Sequence, residues 1–314
     1  MAFMTKTHRK SNITDNQKYS DFLSIQYLPV WLAIGLLWLL TRLPFPILLS
    51  VGRIIGRLAF VAAKKRRHIC EVNIKLCFPS LSDKERGEMT KKVFVSYGQG
   101  LVESAYSWLG NVEKLRNQVT FKGLEHVYKA QAEGKGILMV GGHFAILDFA
   151  GGLLGLEQSY HVVQRDHDNP LFNYFMTSSR KRHAAACIAR KDLRGMVRAL
   201  KKGDIVWYAP DQDSGRKNSV FVPFFNVPTA TITGTSGLAL LSKAVVIPVF
   251  YYRDEQGHYH IEFSAPLNIP SGNEEHDAIQ FNQWLESKIR EQPEQYFWLH
   301  KRFKTRPMGD PSFY

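Results

Sequence analysis

The chain has 314 residues, a formal net charge of +13 and three cysteines. A chain of this length can form one large domain or two small ones, with a sizeable core. The positive charge favours anionic partners: nucleic acid, phosphorylated lipid, a membrane face or an acidic protein. The odd number of cysteines, without a Cys-x-x-Cys pair, argues against a disulfide framework and a zinc site and favours a reducing compartment.

The N-terminal part differs in composition from the rest of the chain. Residues 1–20 are polar and basic, and we interpret them as a mobile arm. Residues 28–51 are strongly apolar, and the basic amphipathic stretch that follows them ends in a cluster at 64–67. We expect a hydrophobic helical anchor, followed by a helix that binds anionic membrane lipids with its cluster on the cytoplasmic side.

The form of this anchor stays open at the level of sequence. A bilayer span needs about 20 apolar residues, so the segment either crosses the membrane or lies in its interface. A hydrophobic hairpin packed on the core is a further alternative. The change in composition near residue 70 predicts two parts, with the arm, anchor and basic helix in residues 1–68 and a folded domain in residues 69–314.

Beyond residue 118, short apolar runs alternate with amphipathic segments. The apolar runs predict strands at Val119–Lys122, Gly136–Val140, Tyr160–Gln164, Ile205–Tyr208, Val245–Tyr252 and Tyr259–Phe263. The segments between them predict helices at about 124–132, 145–156, 170–182, 192–201, 233–243 and 275–291. Strand–helix alternation at this spacing predicts the α/β class, with a mostly parallel mixed sheet flanked by helices.

One strand end carries the strongest candidate for chemistry. The run at 136–140 ends in two glycines, followed by His143 and, five residues later, by Asp148. Imidazole suits proton transfer near neutral pH, and a carboxylate within reach can fix its tautomer. Because His161 and Asp166 have the same spacing, the spacing alone is not selective. The alternative for His143 is a buried, hydrogen-bonded core histidine.

Several other polar residues are candidates for substrate binding. Glu103 is an isolated acid on an apolar helix, and Arg165 and Asn169 follow a strand, although Asn169 before proline also suits a helix start. Arg190 belongs to a broken basic series at 180–202, for which anion binding competes with an ordinary solvated face. Asp211 opens an Asp-x-Asp loop that is a weak metal motif and more typical of a turn. We expect no metal site. We also expect no cofactor, since the sequence contains no phosphate-binding glycine motif.

The C-terminal segment from Gln295 to Arg306 interleaves aromatic and basic residues. On a helix, Trp298 and Arg302 would share one face. Such a helix either grips a nucleic-acid strand or a lipid headgroup, or docks on the core with a basic outer side.

Taken in order, several motifs resemble those of the late acyltransferases of lipid A biosynthesis. They are Gly-Gly-His143-x4-Asp148, Arg165-x3-Asn169-Pro-Leu, Arg190-Lys-Asp-Leu, Val206-Trp-Tyr-Ala-Pro-Asp211 and the segment from Pro293 to Arg306. The resemblance runs from about residue 25 to the end and is strongest to the lauroyl branch.

The resemblance implies a fold like that of glycerol-3-phosphate acyltransferases, with residues 69–314 as the acyltransferase domain. It implies an enzyme of the bacterial inner membrane whose catalytic domain faces the cytoplasm. Such an enzyme moves a fatty acyl group, of the laurate or myristate class, from acyl carrier protein to a hydroxyl on an acyl chain of the Kdo-bearing lipid A precursor. His143 would be the general base and Asp148 its partner.

The residues themselves are compatible with this chemistry. A basic surface attracts an acidic carrier, a phosphorylated acceptor and anionic inner-membrane lipids. Direct attack on a thioester needs no covalent intermediate, which agrees with the lack of a convincing serine or cysteine nucleophile in the sequence. The rival functions are a membrane-associated esterase or phospholipase and a basic nucleic-acid-binding protein; the last leaves the apolar N-terminal runs and the His143 turn unexplained, so we expect no nucleic-acid partner.

Overall fold

Parallel strands joined by helices form the centre of the computed structural model, which describes residues 17–314. The arm expected at residues 1–20 therefore lies almost entirely outside the described residues. The strands are β1 (Val119–Lys122), β2 (Ile137–Val140), β3 (Tyr160–Gln164), β4 (Ala186–Ala189), β5 (Ile205–Tyr208), β6 (Ser219–Phe224), β7 (Val227–Ile232), β8 (Val245–Arg253) and β9 (Tyr259–Phe263).

Seven of these strands form one sheet in the order β1-β9-β8-β2-β5-β3-β4, while β6 and β7 pair as a separate antiparallel hairpin. The five strands from β8 to β4 are mutually parallel. β9 runs antiparallel to β8 and parallel to β1. The predicted α/β class, with a mostly parallel mixed sheet, is confirmed.

Three strands were absent from the sequence prediction. β4 is a run of four small or apolar residues at the edge of the sheet, too short to show a period. β6 and β7 follow the loop that begins at Asp211. In the structure Thr229 and Thr231 are buried within β7, where their hydroxyls bond to carbonyls of the same strand.

The helices share a simple pattern: each is amphipathic or apolar and packs on the sheet or on another helix. They are α1 (Leu28–Leu40), α2 (Phe45–Ala62), α3 (Lys64–Cys77), α4 (Asp83–Leu109), α5 (Leu124–Ala132), α6 (Leu147–Leu154), α7 (Pro170–Arg180), α8 (Leu193–Lys201), α9 (Gly234–Ser242) and α10 (Glu274–Glu291).

The order of the strands determines which helices share a face of the sheet. The connections through α6 (β2 to β3) and α7 (β3 to β4) run in one direction along the sheet, whereas those through α8 (β4 to β5) and α9 (β5 to β8) run in the other. Because such crossovers are right-handed in about 98% of cases, α6 and α7 lie on one face and α8 and α9 on the opposite face. α4 packs on α6, and α2 packs on α4, so the N-terminal helices belong to the α6 face.

The N-terminal helices pack closely on the domain. A Cβ atom at Gly98 of α4 would lie 2.2 Å from the carbonyl oxygen of Gly52 in α2, so only glycine permits this approach. The outer faces of α1 and α2 expose large apolar side chains, among them Leu36 on α1 and Leu58 on α2. Within residues 17–314, α2 alone is long and apolar enough to cross a membrane, with a mean hydropathy of 1.7, which is weak evidence by itself.

The basic stretch after the anchor is divided between two helices. α2 ends at Ala62 and α3 starts at Lys64, with Ala63 as the break. α3 then continues through position 68 to Cys77, so a single helix crosses the boundary drawn between residues 1–68 and 69–314. The division itself stays a prediction.

The C-terminal segment is not the expected helix. After Gln295 the chain forms turns and irregular structure, and Trp298, Arg302 and Phe303 are buried. The Arg302 guanidinium donates to the Ala230 carbonyl at 2.8 Å, and Asn73 donates to the Trp298 carbonyl at 2.7 Å. Of the two alternatives for this segment, docking on the core is the one observed, in irregular rather than helical form. These buried side chains are not available to grip a nucleic-acid strand.

Candidate active site

A rigid turn carries His143 at the carboxyl end of β2. Gly142 is buried beneath the turn, where a Cβ atom would lie 2.7 Å from Leu285 Cδ1 and 3.1 Å from the Phe144 ring. The His143 carbonyl accepts hydrogen bonds from the Phe297 amide at 2.9 Å and from the Tyr97 hydroxyl at 3.2 Å. These contacts hold the backbone from which the imidazole projects.

Asp211 is the carboxylate that contacts the imidazole. Its Oδ2 accepts the His143 backbone N–H at 2.8 Å, and its Oδ1 lies 2.5 Å from Nδ1 of the ring. The Asp211 side chain is 1% exposed and that of His143 is 26% exposed. With Nδ1–H donated to the carboxylate, the lone pair of Nε2 is left for a substrate proton.

The two groups alter each other's pKa. Burial alone would lower the pKa of His143, but the charge and hydrogen bond of Asp211 outweigh burial and raise it above the ordinary value. Burial would raise the pKa of Asp211, yet the imidazole and the His143 amide hold it below its usual range. The result is a buried carboxylate that stays ionised beside a more basic imidazole.

Asp148 lies in the first turn of α6 and bonds to a different partner. Its Oδ1 accepts from the Arg180 guanidinium at 2.8 Å, and Arg180 also donates to Gln164 at 2.9 Å. The contact between Asp148 and the imidazole that the sequence suggested is therefore corrected: Asp211 occupies the Nδ1 side of the ring, and a permanently charged guanidinium faces Asp148. The Asp148 charge still contributes through space to raising the pKa of His143.

A cavity of about 570 Å³ opens beside these groups. The ionisable side chains in its wall include His143, Asp148, Arg165 and Arg180. The rest of the wall is largely apolar and aromatic, with Trp108, Leu147, Leu154, Val162, Phe172, Met176 and Ile261. A predominantly apolar pocket with a few convergent polar groups is the usual form of a small-molecule site.

Comparison with known proteins identifies the family. Residues 16–305 match the model of the bacterial lipid A biosynthesis acyltransferases. The chain is 41% identical over 306 residues to the lipid A biosynthesis lauroyltransferase of Escherichia coli strain K12, covering 96% of this chain and 100% of that protein. It is 39% identical to the palmitoleoyltransferase of the same strain, covering 94% and 97% of the two chains. It is 29% identical to that strain's myristoyltransferase, covering 84% and 82%.

The chain belongs to the bacterial lipid A biosynthesis acyltransferase family. The resemblance inferred from the motifs is thereby confirmed. The motifs meet in space to differing degrees in this acyltransferase: His143, Asp148 and Arg165 line the cavity, and Asp211 lies directly behind the imidazole. Arg165 is largely exposed at the rim.

Glu103 has a structural environment in this acyltransferase. It is fully buried, forms an ion pair with Arg253 and accepts the Tyr259 hydroxyl at 2.5 Å. It is not among the residues that line the cavity. Its expected role in substrate binding is therefore replaced by a role in the core, because an unpaired Arg253 would be costly to bury.

The two remaining candidates, Asn169 and Arg190, bond to the backbone of residues that line the cavity. The Asn169 side chain accepts the Phe172 amide at 3.0 Å and caps α7, as the helix-start interpretation predicts. The Arg190 amide donates to the Gln164 carbonyl at 2.7 Å, which places the start of the 190–192 loop beside the cavity wall. Asp213, the second acid of the Asp-x-Asp loop, accepts the amide and hydroxyl of Thr305.

Sequence reasoning missed the importance of Arg180 and the contact between Asp211 and His143. Arg180 was one of many basic residues in a charged series, and nothing local marked it as the partner of Asp148. Asp211 did carry a signal, since it lies three residues beyond β5 just as His143 lies three residues beyond β2. Only the observed pairing of β2 with β5, with Val140 opposite Tyr208, brings the two positions together.

Proposed function

We propose that this family member transfers a fatty acyl group from acyl carrier protein to a hydroxyl on an acyl chain of the Kdo-bearing lipid A precursor, with His143 as general base. The observation that carries the proposal is the His143–Asp211 pair: Nδ1 is bound to a buried carboxylate while Nε2 remains free at the wall of an apolar cavity. The names of the relatives, which act in lipid A biosynthesis, support the acceptor class.

In the proposed reaction, Nε2 of His143 removes the proton of the acceptor hydroxyl. The alkoxide oxygen bonds to the thioester carbonyl carbon, the carbon–sulfur bond breaks, and the imidazolium returns its proton to the departing thiolate. The ionised Asp211 stabilises the imidazolium between these steps. General-base catalysis of this kind contributes about 10²–10⁴ in rate, and alignment of the two substrates supplies a further part.

The oxyanion of the tetrahedral intermediate needs a donor. Two of the backbone N–H groups in the turn after His143 are already bonded, that of Ala145 to the Gln295 carbonyl and that of Leu147 to the Phe144 carbonyl. This occupancy favours a side-chain donor. Arg165 at the rim suits the phosphates or acidic sugars of the acceptor, since guanidinium binds such groups in a bidentate manner.

The apolar wall of the cavity gives the acyl chain an environment away from water. The exposed apolar faces of α1 and α2 and the basic residues that follow them support attachment to the inner membrane, with the catalytic domain on the cytoplasmic side. Family membership in lipid A synthesis implies membrane association in any case, because the product is a membrane lipid.

Product analysis tests the proposal. The full-length protein in detergent micelles is supplied with lauroyl-loaded acyl carrier protein and a Kdo-bearing lipid A precursor. Mass spectrometry follows the precursor and any free fatty acid. The proposal expects a precursor heavier by one acyl group and a stoichiometric amount of free carrier thiol. Free fatty acid with an unchanged precursor would instead indicate an esterase or phospholipase.

The membrane part has its own test. We expect the triple variant Arg57→Ser, Lys64→Ser, Lys65→Ser to float less with anionic vesicles, because each basic residue near a negative surface contributes about 1 kcal/mol. The matched control replaces the exposed Lys84, Lys114 and Lys129 by serine, which removes the same charge elsewhere. Equal flotation of the two variants at low salt would rule out the electrostatic contribution.

A further inference from the structure

Helices α8 and α9 present a surface that the proposed chemistry does not use. α8 exposes Leu193, and α9 exposes Leu240 and Leu241, the former with 67% of its surface in contact with solvent. Exposed basic side chains surround these leucines: Arg194, Arg198, Lys201 and Lys202. Leu193, Leu241 and the four basic residues line one shallow depression. We call these residues, together with Leu240, the α8–α9 patch.

The charge of the α8–α9 patch is unbalanced. Arg194 and Arg198 are one helical turn apart on α8, and Lys201 and Lys202 follow in the next turn. Among the ion pairs formed within residues 17–314, none includes any of these four side chains. Four positive charges around exposed leucines form a surface complementary to an acidic partner with its own apolar contacts.

The patch faces away from the proposed membrane anchor. As argued from the crossover directions, α8 and α9 lie on the opposite face of the sheet from α6, and α2 is joined to the α6 face through α4. A bilayer that contacts the outer faces of α1 and α2 therefore does not contact the α8–α9 patch. This position favours a soluble partner over a lipid surface.

One end of the patch lies close to the cavity. The Arg190 amide bonds to the carbonyl of Gln164, which lines the cavity. Leu193 is three residues further along the chain, and three residues span at most about 11 Å. A partner seated on the first turn of α8 is thus beside the site where an acyl group must enter.

We propose that the α8–α9 patch is the docking surface for the acyl carrier protein, an inference that rests on the proposed function. The basic side chains attract and orient the acidic carrier, and the leucines contact apolar side chains between its acidic groups. The carrier's flexible thioester arm then enters the cavity beside Arg190. Docking of this kind lowers the KM for the loaded carrier and makes it dependent on salt, while the chemical step at His143 is unaffected.

The test compares two charge reversals of equal size. The patch variant is Arg194→Glu with Arg198→Glu; the control is Lys84→Glu with Lys114→Glu, which reverses two exposed charges on α4 and on the segment after it. With lauroyl-loaded carrier as the varied substrate, we expect the patch variant to raise KM at least tenfold with kcat within twofold of the wild type. The control should match the wild type in both constants, and a preserved kcat reports that the variant is folded.

The outcomes separate the docking inference from the proposed function. If the wild type accepts no acyl group from the loaded carrier, the proposed function fails. If the wild type does so and the patch variant has the KM of the control, the docking inference is overturned while the function stands. It is also overturned if the patch variant loses binding to anionic vesicles instead, or dissociates a dimer in sedimentation, because the patch would then contact lipid or a second copy.

Discussion

A histidine–aspartate pair lies at each end of β5, and the two pairs differ in burial and in distance from the cavity. At its carboxyl end, Asp211 lies 2.5 Å from Nδ1 of His143, and its side chain is 1% exposed. At its amino end, Asp204 lies 3.2 Å from Nε2 of His161, and its side chain is 40% exposed. Only the first pair lies at the cavity, since His161 does not line it. We therefore expect the chemistry at the carboxyl edge of this sheet, since parallel sheets bind their ligands at that edge.

The comparison also explains why the His-x4-Asp spacing is a poor guide to contact. Both histidines have an acid five positions later, yet the carboxylates bonded to their rings come from the residues flanking β5. A register of strands, not a distance along the chain, brings each pair together. At the carboxyl edge, Val140 of β2 lies opposite Tyr208 of β5. His143 comes three residues after Val140, and Asp211 comes three residues after Tyr208.

The largest effect is expected when the histidine of each pair is replaced by alanine. We expect His143→Ala to reduce kcat by about 10⁴-fold, the upper range for a positioned base, because Nε2 is the proposed proton acceptor. The matched control, His161→Ala, removes the histidine of the pair at the opposite edge of the sheet and should change kcat by less than threefold. Steady-state acyl transfer by each purified variant measures this, and comparable losses in the two variants would contradict the assigned role of the carboxyl edge.

The next effect is expected at the carboxylate itself. Asp211→Asn keeps the shape but removes the charge that fixes the Nδ1–H tautomer, so we expect kcat to fall about 10²–10³-fold with little change in KM. Asp213→Asn is the control from the same loop, since that side chain bonds to Thr305 rather than to the ring. A loss seen mainly in KM for the acceptor would instead make Asp211 a binding residue, as the sequence first suggested.

A smaller effect is expected at the Asp148–Arg180 pair. We expect Asp148→Asn to lower kcat/KM about tenfold, because it leaves the Arg180 charge without its partner at the cavity wall. If Asp148 acts through Arg180, the double variant with Arg180→Met loses no more than the worse single variant. Additive losses in this double-mutant cycle would show that Asp148 acts on the imidazole or the substrate independently.

Much of the fold was accessible from the sequence because its signals are local. The buried apolar runs that became β2 and β5, and the asparagine before Pro170 that caps α7, each have a pattern within a few residues. The partners of His143, Glu103 and Arg302 were not accessible, because each lies between 68 and 150 residues away along the chain. The irregular C-terminal segment was misjudged because its aromatic side chains are buried without any period.

The pH dependence of kcat/KM tests the central claim most directly. As the proposed base, His143 acts only when unprotonated. Because Asp211 outweighs burial and raises the pKa of His143, the acid limb of the wild-type profile should have its midpoint above the ordinary histidine value of about 6.5. In Asp211→Asn the carboxylate is lost while burial remains, so the midpoint of the residual activity should move to lower pH. An acid limb that stays at the same pH in both proteins would contradict the coupling of His143 to Asp211.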